Sequence, residues 1–183
     1  MTTYVAMLRG INVGGNATIK MDALRQLVSG LGHSDVTTYI QSGNVVFSSR
    51  KGTAATIAAG IEDRIKKDLR LQVTVIVRSG EDLAEIVRKN PFLPGADPAT
   101  LYVIFLASAP EPASLTRLGP KLVAPDEFRV VGREIYARYP NGYGRSKMTS
   151  TFFENRLRLR GTARNWKTVT TLADRREADR TKK

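Results

Sequence analysis

The chain of 183 residues is 42% hydrophobic and carries 29 Lys and Arg against 17 Asp and Glu, a formal net charge of +12; this is the composition of a folded globular protein. It has no cysteine and one histidine, His33, which excludes disulfides, thiolate metal sites, a cysteine nucleophile and multi-histidine metal centres. The longest apolar run, 101–107, is far shorter than the roughly 20 residues of a membrane-spanning helix, and the first ten residues lack a signal-peptide pattern, so the expectation is a cytoplasmic protein with no membrane partner.

Residues 3–9, TYVAMLR, are an apolar, β-rich run ending in glycines, a strand signal. Met21, Leu24, Leu27, Val28 and Leu31 recur at spacings of three and four before Gly32, which predicts an amphipathic helix with a glycine stop. Residues 36–41 and 44–49 are two strand-like runs meeting at Ser42 and Gly43, the chemistry of a tight hairpin. Ile57, Ala58, Ile61, Ile65 and Leu69 mark a second helix, QVTVIV alternates as a fourth strand, and Ser79 with Asp82 resembles a capping box for a third helix that Asn90 and Pro91 end.

Residues 90–100 carry three prolines and a glycine and read as a linker. The pattern then restarts: a strand over 101–107, a short helix through Leu115 and Leu118, a hairpin around Gly132 and Arg133, and a helix near Met148–Leu157. The alternating stretch 156–160, RLRLR, fits a final strand and equally a helix end followed by a loop, and a last helix is expected from about Ala163 to Asp174. The predicted fold class is α+β: two ferredoxin-like β-α-β-β-α(-β) halves with mixed or antiparallel sheets and an additional C-terminal helix. The corresponding boundaries are 1–89 for the first half, 90–100 for the linker, 101–174 for the second half with the final helix, and 175–183 for a basic tail.

LRGINVGGN, residues 8–16, joins a strand to a helix through Gly10, Gly14 and Gly15, where backbone amides can cradle an anion. Gly10 and Gly15 have P-loop spacing, but Asn16 and Ala17 replace the Lys and Ser/Thr that nucleotide hydrolysis needs. The simpler reading is a sharp turn requiring positive φ. In a β-α-β-β sheet the first two strands run the same way, so Arg9, Asn12, Gly14 and Gly15 should meet Gln41, Ser42 and Asn44 at one sheet edge. NGYGRSKMTS, residues 141–150, is a second glycine-and-basic loop entering a helix, with Arg145 and Lys147 beside its first turn. GTARNWKT, residues 161–168, repeats the theme: Thr162 is a candidate N-cap, and Arg164, Asn165 and Lys167 would crowd the helix start, opposing its dipole unless an anion binds. Trp166 reads better as a core anchor than as a stacking platform, and His33 as a surface loop residue.

Residues 129–183 hold 15 basic and 5 acidic side chains, a net of +10, which leaves +2 for residues 1–128. Such asymmetry suits a polyanion or a phosphorylated ligand, and equally a soluble surface.

Taken in order and at this overall length, YVAMLRGINVGGN, the TYIQSGNVVF hairpin and GTARNWKTVTTL resemble the bacterial family known as domain of unknown function 1697, over nearly the whole chain. The resemblance implies a cytosolic α+β protein built from ferredoxin-like elements and implies no activity, substrate or catalytic residue. It rests on Arg9, Gly10, Asn12, Gly14 and Gly15 in the first motif, Ser42, Gly43 and Asn44 in the second, and Thr162, Arg164, Asn165 and Trp166 in the third. The arginine-rich stretch 156–160 and the basic tail depart from the family pattern.

These residues predict a binder of a phosphorylated ligand, a nucleotide or RNA, through Arg9, Asn12, Gly14, Gly15, Ser42, Asn44, Arg145, Lys147, Arg164, Asn165 and Lys167, with no metal and no cofactor. The alternatives are an enzyme on a small anionic substrate, with Arg9, Arg145, Arg164 and Lys167 as clamps, and a protein-interaction module without ligand. No general base can be named, because Asp22, Asp35, Glu134 and Glu154 show no paired spacing. Sequence leaves the oligomeric state open.

Overall fold

The structure, a computed structural model, describes residues 1–15, 17–119 and 124–178. The chain begins with β1 (Thr2–Leu8), α1 (Met21–Ser29), β2 (Ser34–Tyr39), β3 (Asn44–Ser49), α2 (Ala54–Leu69), β4 (Val75–Ser79) and α3 (Gly80–Arg88). The four strands form one sheet in the order β2-β3-β1-β4, antiparallel at every pairing, which is the ferredoxin-like arrangement. β3 returns between β1 and β2, so the ends of β1 and β2 and the start of β3 share one edge.

The same order repeats as β5 (Leu101–Leu106), α4 (Pro112–Leu115), β6 (Glu127–Val131), β7 (Glu134–Arg138), α5 (Ser150–Leu157) and β8 (Gly161–Asn165), followed by α6 (Trp166–Ala178). This second sheet, β6-β7-β5-β8, is also antiparallel throughout. The chain divides into two compact units, Met1–Glu85 with the residues from Thr171 onward, and Ile86–Thr170; the divisions fall within α3 and within α6. Residues 90–100 are a run of hydrogen-bonded turns, with the Leu93 and Ala96 amides donating to the carbonyls of Asn90 and Phe92.

In the first unit one sheet face, bearing Ala6, Leu8, Val45, Phe47, Val75 and Val77, packs with Leu24, Val28, Ile57, Ile61 and Ile65 of its two helices. The residues of the opposite face, Val5, Met7, Val46, Ile76 and Arg78, are buried too. Burial of both faces explains why β1 and β3 read as continuous apolar runs rather than alternating ones. The second unit packs Ile104, Leu106, Ile135 and Ala137 with Leu118, Met148, Phe153 and Leu157. α2 and α3 begin with reciprocal caps: Thr53 with Thr56, and Ser79 with Asp82, whose side chains accept from each other's amides at 3.1 and 3.0 Å.

The C-terminal segment corrects the sequence reading. Of the two readings of residues 156–160, the structure shows the helix end and loop, not the final strand: α5 runs to Leu157, and Arg158 ends it in a left-handed conformation with φ of +56. The strand is Gly161–Asn165 instead. Gly161 lets it approach β5, since a Cβ there would meet the Phe105 carbonyl at 3.1 Å. Thr162 is therefore a buried strand residue and not an N-cap; Asn165 caps α6, its Oδ1 accepting from the Thr168 amide at 2.8 Å. α6 continues to Ala178, so residues 175–178 are helical where the sequence suggested tail, and residues 179–183 lie outside those described.

Candidate functional site

The two N-terminal motifs meet as their strand directions require. The Leu8 amide donates to the Gly43 carbonyl at 2.8 Å, and the Asn12 amide side chain donates to the Gln41 carbonyl at 2.8 Å. Gly10, Gly14 and Gly15 all have positive φ. The side chains of Asn12 and Asn44 at this junction are occupied in holding it together. Asn12 accepts from the Ile19 amide at 2.9 Å and donates to the Ile19 carbonyl at 3.0 Å as well as to Gln41, so its donors and acceptor all close the loop on itself. Asn44 is fully buried and donates to the Tyr39 carbonyl and to the Ser42 hydroxyl. The Arg9 amide donates to the Thr74 carbonyl at 2.9 Å. Gly14 and Gly15 are exposed, but α1 begins only at Met21, so they do not form the start of a helix; Asn16 lies outside the described residues.

The third motif also plays a different part from the one its sequence suggested. Arg164 points inward from β8 and is 7% exposed, its guanidinium donating to the Thr162 hydroxyl and the Ala163 carbonyl, each at 2.8 Å. Burial pushes its pKa down to about 10. It cannot clamp a ligand from solvent. Trp166 is buried, Asn165 is engaged as the α6 cap, and Lys167 is exposed in the first turn of that helix.

Arg145 and Lys147 remain accessible, and the chain around them is firmly anchored. The segment alternates: Ser146 and Met148 turn inward while Arg145 and Lys147 stand exposed. The Ser146 hydroxyl donates to Asp126 at 2.5 Å and accepts from the Met148 amide at 2.8 Å, and the buried Tyr139 hydroxyl donates to the Met148 carbonyl at 2.7 Å. Thr149 then caps α5 by accepting from the Phe152 amide. Arg145 and Lys147 line a cavity of about 290 Å³ together with Asp126, Asn141, Gly142 and Ser146. Asp126 is the residue that sequence reasoning missed. It precedes β6, and only the tertiary fold brings it to the loop after β7.

Many of the other C-terminal cations are engaged within the fold. Arg138 pairs with Glu127 at 2.6 Å, Arg129 lies 5.6 Å from the centre of the Phe92 ring, Arg156 stacks at 4.5 Å on Phe152, and Arg175 at 4.5 Å on Tyr39. These four of the basic residues in 129–183 are therefore held by partners within the fold. Among the described residues, no group of three or more His, Cys, Asp or Glu side chains is placed to hold a metal ion, and no helix is long and apolar enough to cross a membrane.

Duplicated ferredoxin-like topology with an appended helix defines a class of α+β protein, and a solved structure shares that fold. The conserved bacterial protein SP0830 from Streptococcus pneumoniae is 23% identical, with a TM-score of 0.71 over 94% of this chain and 97% of that one. The chain belongs to the family described as protein of unknown function DUF1697, whose model matches residues 1–136. No curated protein matches it.

Proposed function

We propose that the protein binds a small phosphorylated ligand in the cavity formed by Arg145 and Lys147. One observation carries this reading: two exposed cations flank a polar cavity on a loop that Ser146, Met148 and Tyr139 pin in place. Pinning the loop removes the cost of ordering its backbone on binding and leaves only that of the two long side chains. Asp126, held by the Ser146 hydroxyl, adds a carboxylate to the lining. It favours a ligand with hydroxyl groups beside its phosphate over a bare polyanion. The cavity is at the small end of the usual range for ligand sites, about 300–1,000 Å³, which suits a phosphorylated metabolite or a mononucleotide.

A panel of phosphate, pyrophosphate, sugar phosphates and mononucleotides tests this reading by thermal denaturation. A ligand present at a hundredfold its Kd stabilises by about 2.7 kcal/mol, which raises Tm by roughly 5–11 °C for a chain of this size. A panel that leaves the melting curve unmoved at millimolar concentration overturns it. RNA is the other source of phosphates. Binding to single-stranded RNA would reveal itself by a log affinity against log salt slope of about −0.7 for each phosphate contact, whereas the small-ligand reading expects a much flatter dependence.

A further inference from the structure

The first unit contains a larger cavity, of about 930 Å³, at the sheet end opposite the glycine loop. Strand register explains its position. Thr2 pairs with Ser49 and Ser34 with Ser48, so the starts of β1 and β2 and the end of β3 meet where the chain leaves α1 and enters α2.

The walls of this cavity combine three kinds of surface. Leu31 and Ile57 are apolar, and the ring of His33 packs against Phe47 with centroids 4.7 Å apart. Partial burial lowers the pKa of His33, which favours its uncharged form. Arg50 and Lys51, both exposed, add two adjacent positive charges. The turn that carries them is braced: the Ser49 hydroxyl donates to the Lys51 carbonyl at 2.8 Å, and Gly52, with φ of +92, packs where a Cβ would meet Thr56 Oγ1 at 3.0 Å. The facing strand is irregular here. The register of β2 shifts between Ser34 and Thr37, and Asp35 has a left-handed φ of +54, a conformation that costs energy in a residue with a side chain. Bulges of this kind concentrate beside binding sites. Thr53 and Thr56 cap each other at the start of α2, so two of its first amides are already engaged within the chain.

We infer that this cavity binds an aromatic anion, its planar ring seated against Leu31, His33 and Ile57 and its acidic group held by Arg50 and Lys51. The volume lies within the range of small-molecule sites. A bare inorganic anion would leave the ring-facing wall unused, and a neutral aromatic would leave the cations unused, so the arrangement selects for both features in one molecule. Asp35, on the strand side, disfavours a second acidic group at that end. The site shares no residue with the Arg145 and Lys147 cavity, and neither proposal depends on the other.

The single histidine makes the test direct, because its imidazole resonances are unique in the NMR spectrum. The probe is 1-anilinonaphthalene-8-sulfonate, with uncharged N-phenyl-1-naphthylamine and inorganic phosphate as its two halves. The sulfonate should shift the His33 resonances saturably, while millimolar phosphate leaves them in place. The double substitution Arg50→Ala with Lys51→Ala should weaken the sulfonate about tenfold or more and leave the uncharged analogue within about twofold; both positions are exposed, and an unchanged Tm confirms that the fold is intact. The pair Arg145→Ala with Lys147→Ala should have no effect on this readout. His33 resonances that stay fixed at saturating sulfonate, or a sulfonate affinity untouched by loss of Arg50 and Lys51, overturn the proposal.

Discussion

A Cβ on Gly43 would stand 2.5 Å from Cδ1 of Ile11, a side chain that is itself 1% exposed. The strand turn and the glycine loop are so closely joined that only a hydrogen atom fits between them, and Gly43 also holds a φ of +76. Gly43→Ala is expected to cost about 2–5 kcal/mol, from left-handed backbone plus overpacking. Gly14, with φ of +65 and nothing within 4 Å of a Cβ, pays only the backbone term, so Gly14→Ala should cost about 1 kcal/mol. Urea denaturation compares the two, and equal losses would contradict the packing account.

Asn12→Ala should destabilise by about 2–3 kcal/mol, because it leaves the Ile19 amide and two carbonyls without their partners in a loop that buries Ile19. Phosphate-ligand affinity should not change. A loss of affinity at full stability, measured by calorimetry, would return Asn12 to the role of ligand contact.

Arg164→Ala is expected to cost about 2–5 kcal/mol by emptying a buried space and stripping Thr162 of its partner. Arg145→Ala, at an exposed position, should change stability by no more than about 0.5 kcal/mol. Chemical denaturation of both variants checks the contrast. Similar values for the two would contradict the burial of Arg164 as a source of stability.

The phenol of Tyr139 is pushed well above its ordinary value of 10 by burial, reinforced by Tyr143, Asp126 and Tyr102. The unfolded chain releases this proton near pH 10 and the folded chain retains it. The associated stability is therefore complete below pH 10 and falls above it by about 1.4 kcal/mol per pH unit. Tyr139→Phe should lose about 1 kcal/mol at neutral pH, through its missing bond to the Met148 carbonyl, and should show a shallower alkaline decline. Parallel pH profiles, followed by circular dichroism, would contradict this.

Most of the fold was legible because its signals are local. Helix periodicity over 21–31 and 57–69, the capping pair Ser79 and Asp82, and the hairpin around Ser42 and Gly43 each depend on a few adjacent residues. The duplicated β-α-β-β-α order followed from them, and so did the meeting of the Gly10–Gly15 loop with the Ser42 turn. The final strand was hidden for a physical reason. Arg164 occupies an inward strand position where an apolar residue is expected, so period-two alternation was invisible in 161–165 and conspicuous in the neighbouring 156–160. Site residues were harder to read, because sequence shows which groups can bind an anion but not which ones the fold has already engaged. Asn12 and Asn44 carry suitable chemistry and hold backbone instead, while Asp126 joins Arg145 and Lys147 only through tertiary structure.

The most direct measurement of the binding proposal is a heteronuclear NMR titration of the chain with phosphate, pyrophosphate and mononucleotides. The proposal predicts that at least one of them shifts the amide resonances of Gly142, Arg145, Ser146 and Lys147 saturably, and that Arg145→Ala with Lys147→Ala abolishes those shifts while Tm holds. Resonances of this loop that stay fixed across the whole series, or shifts that survive the double substitution, would contradict it.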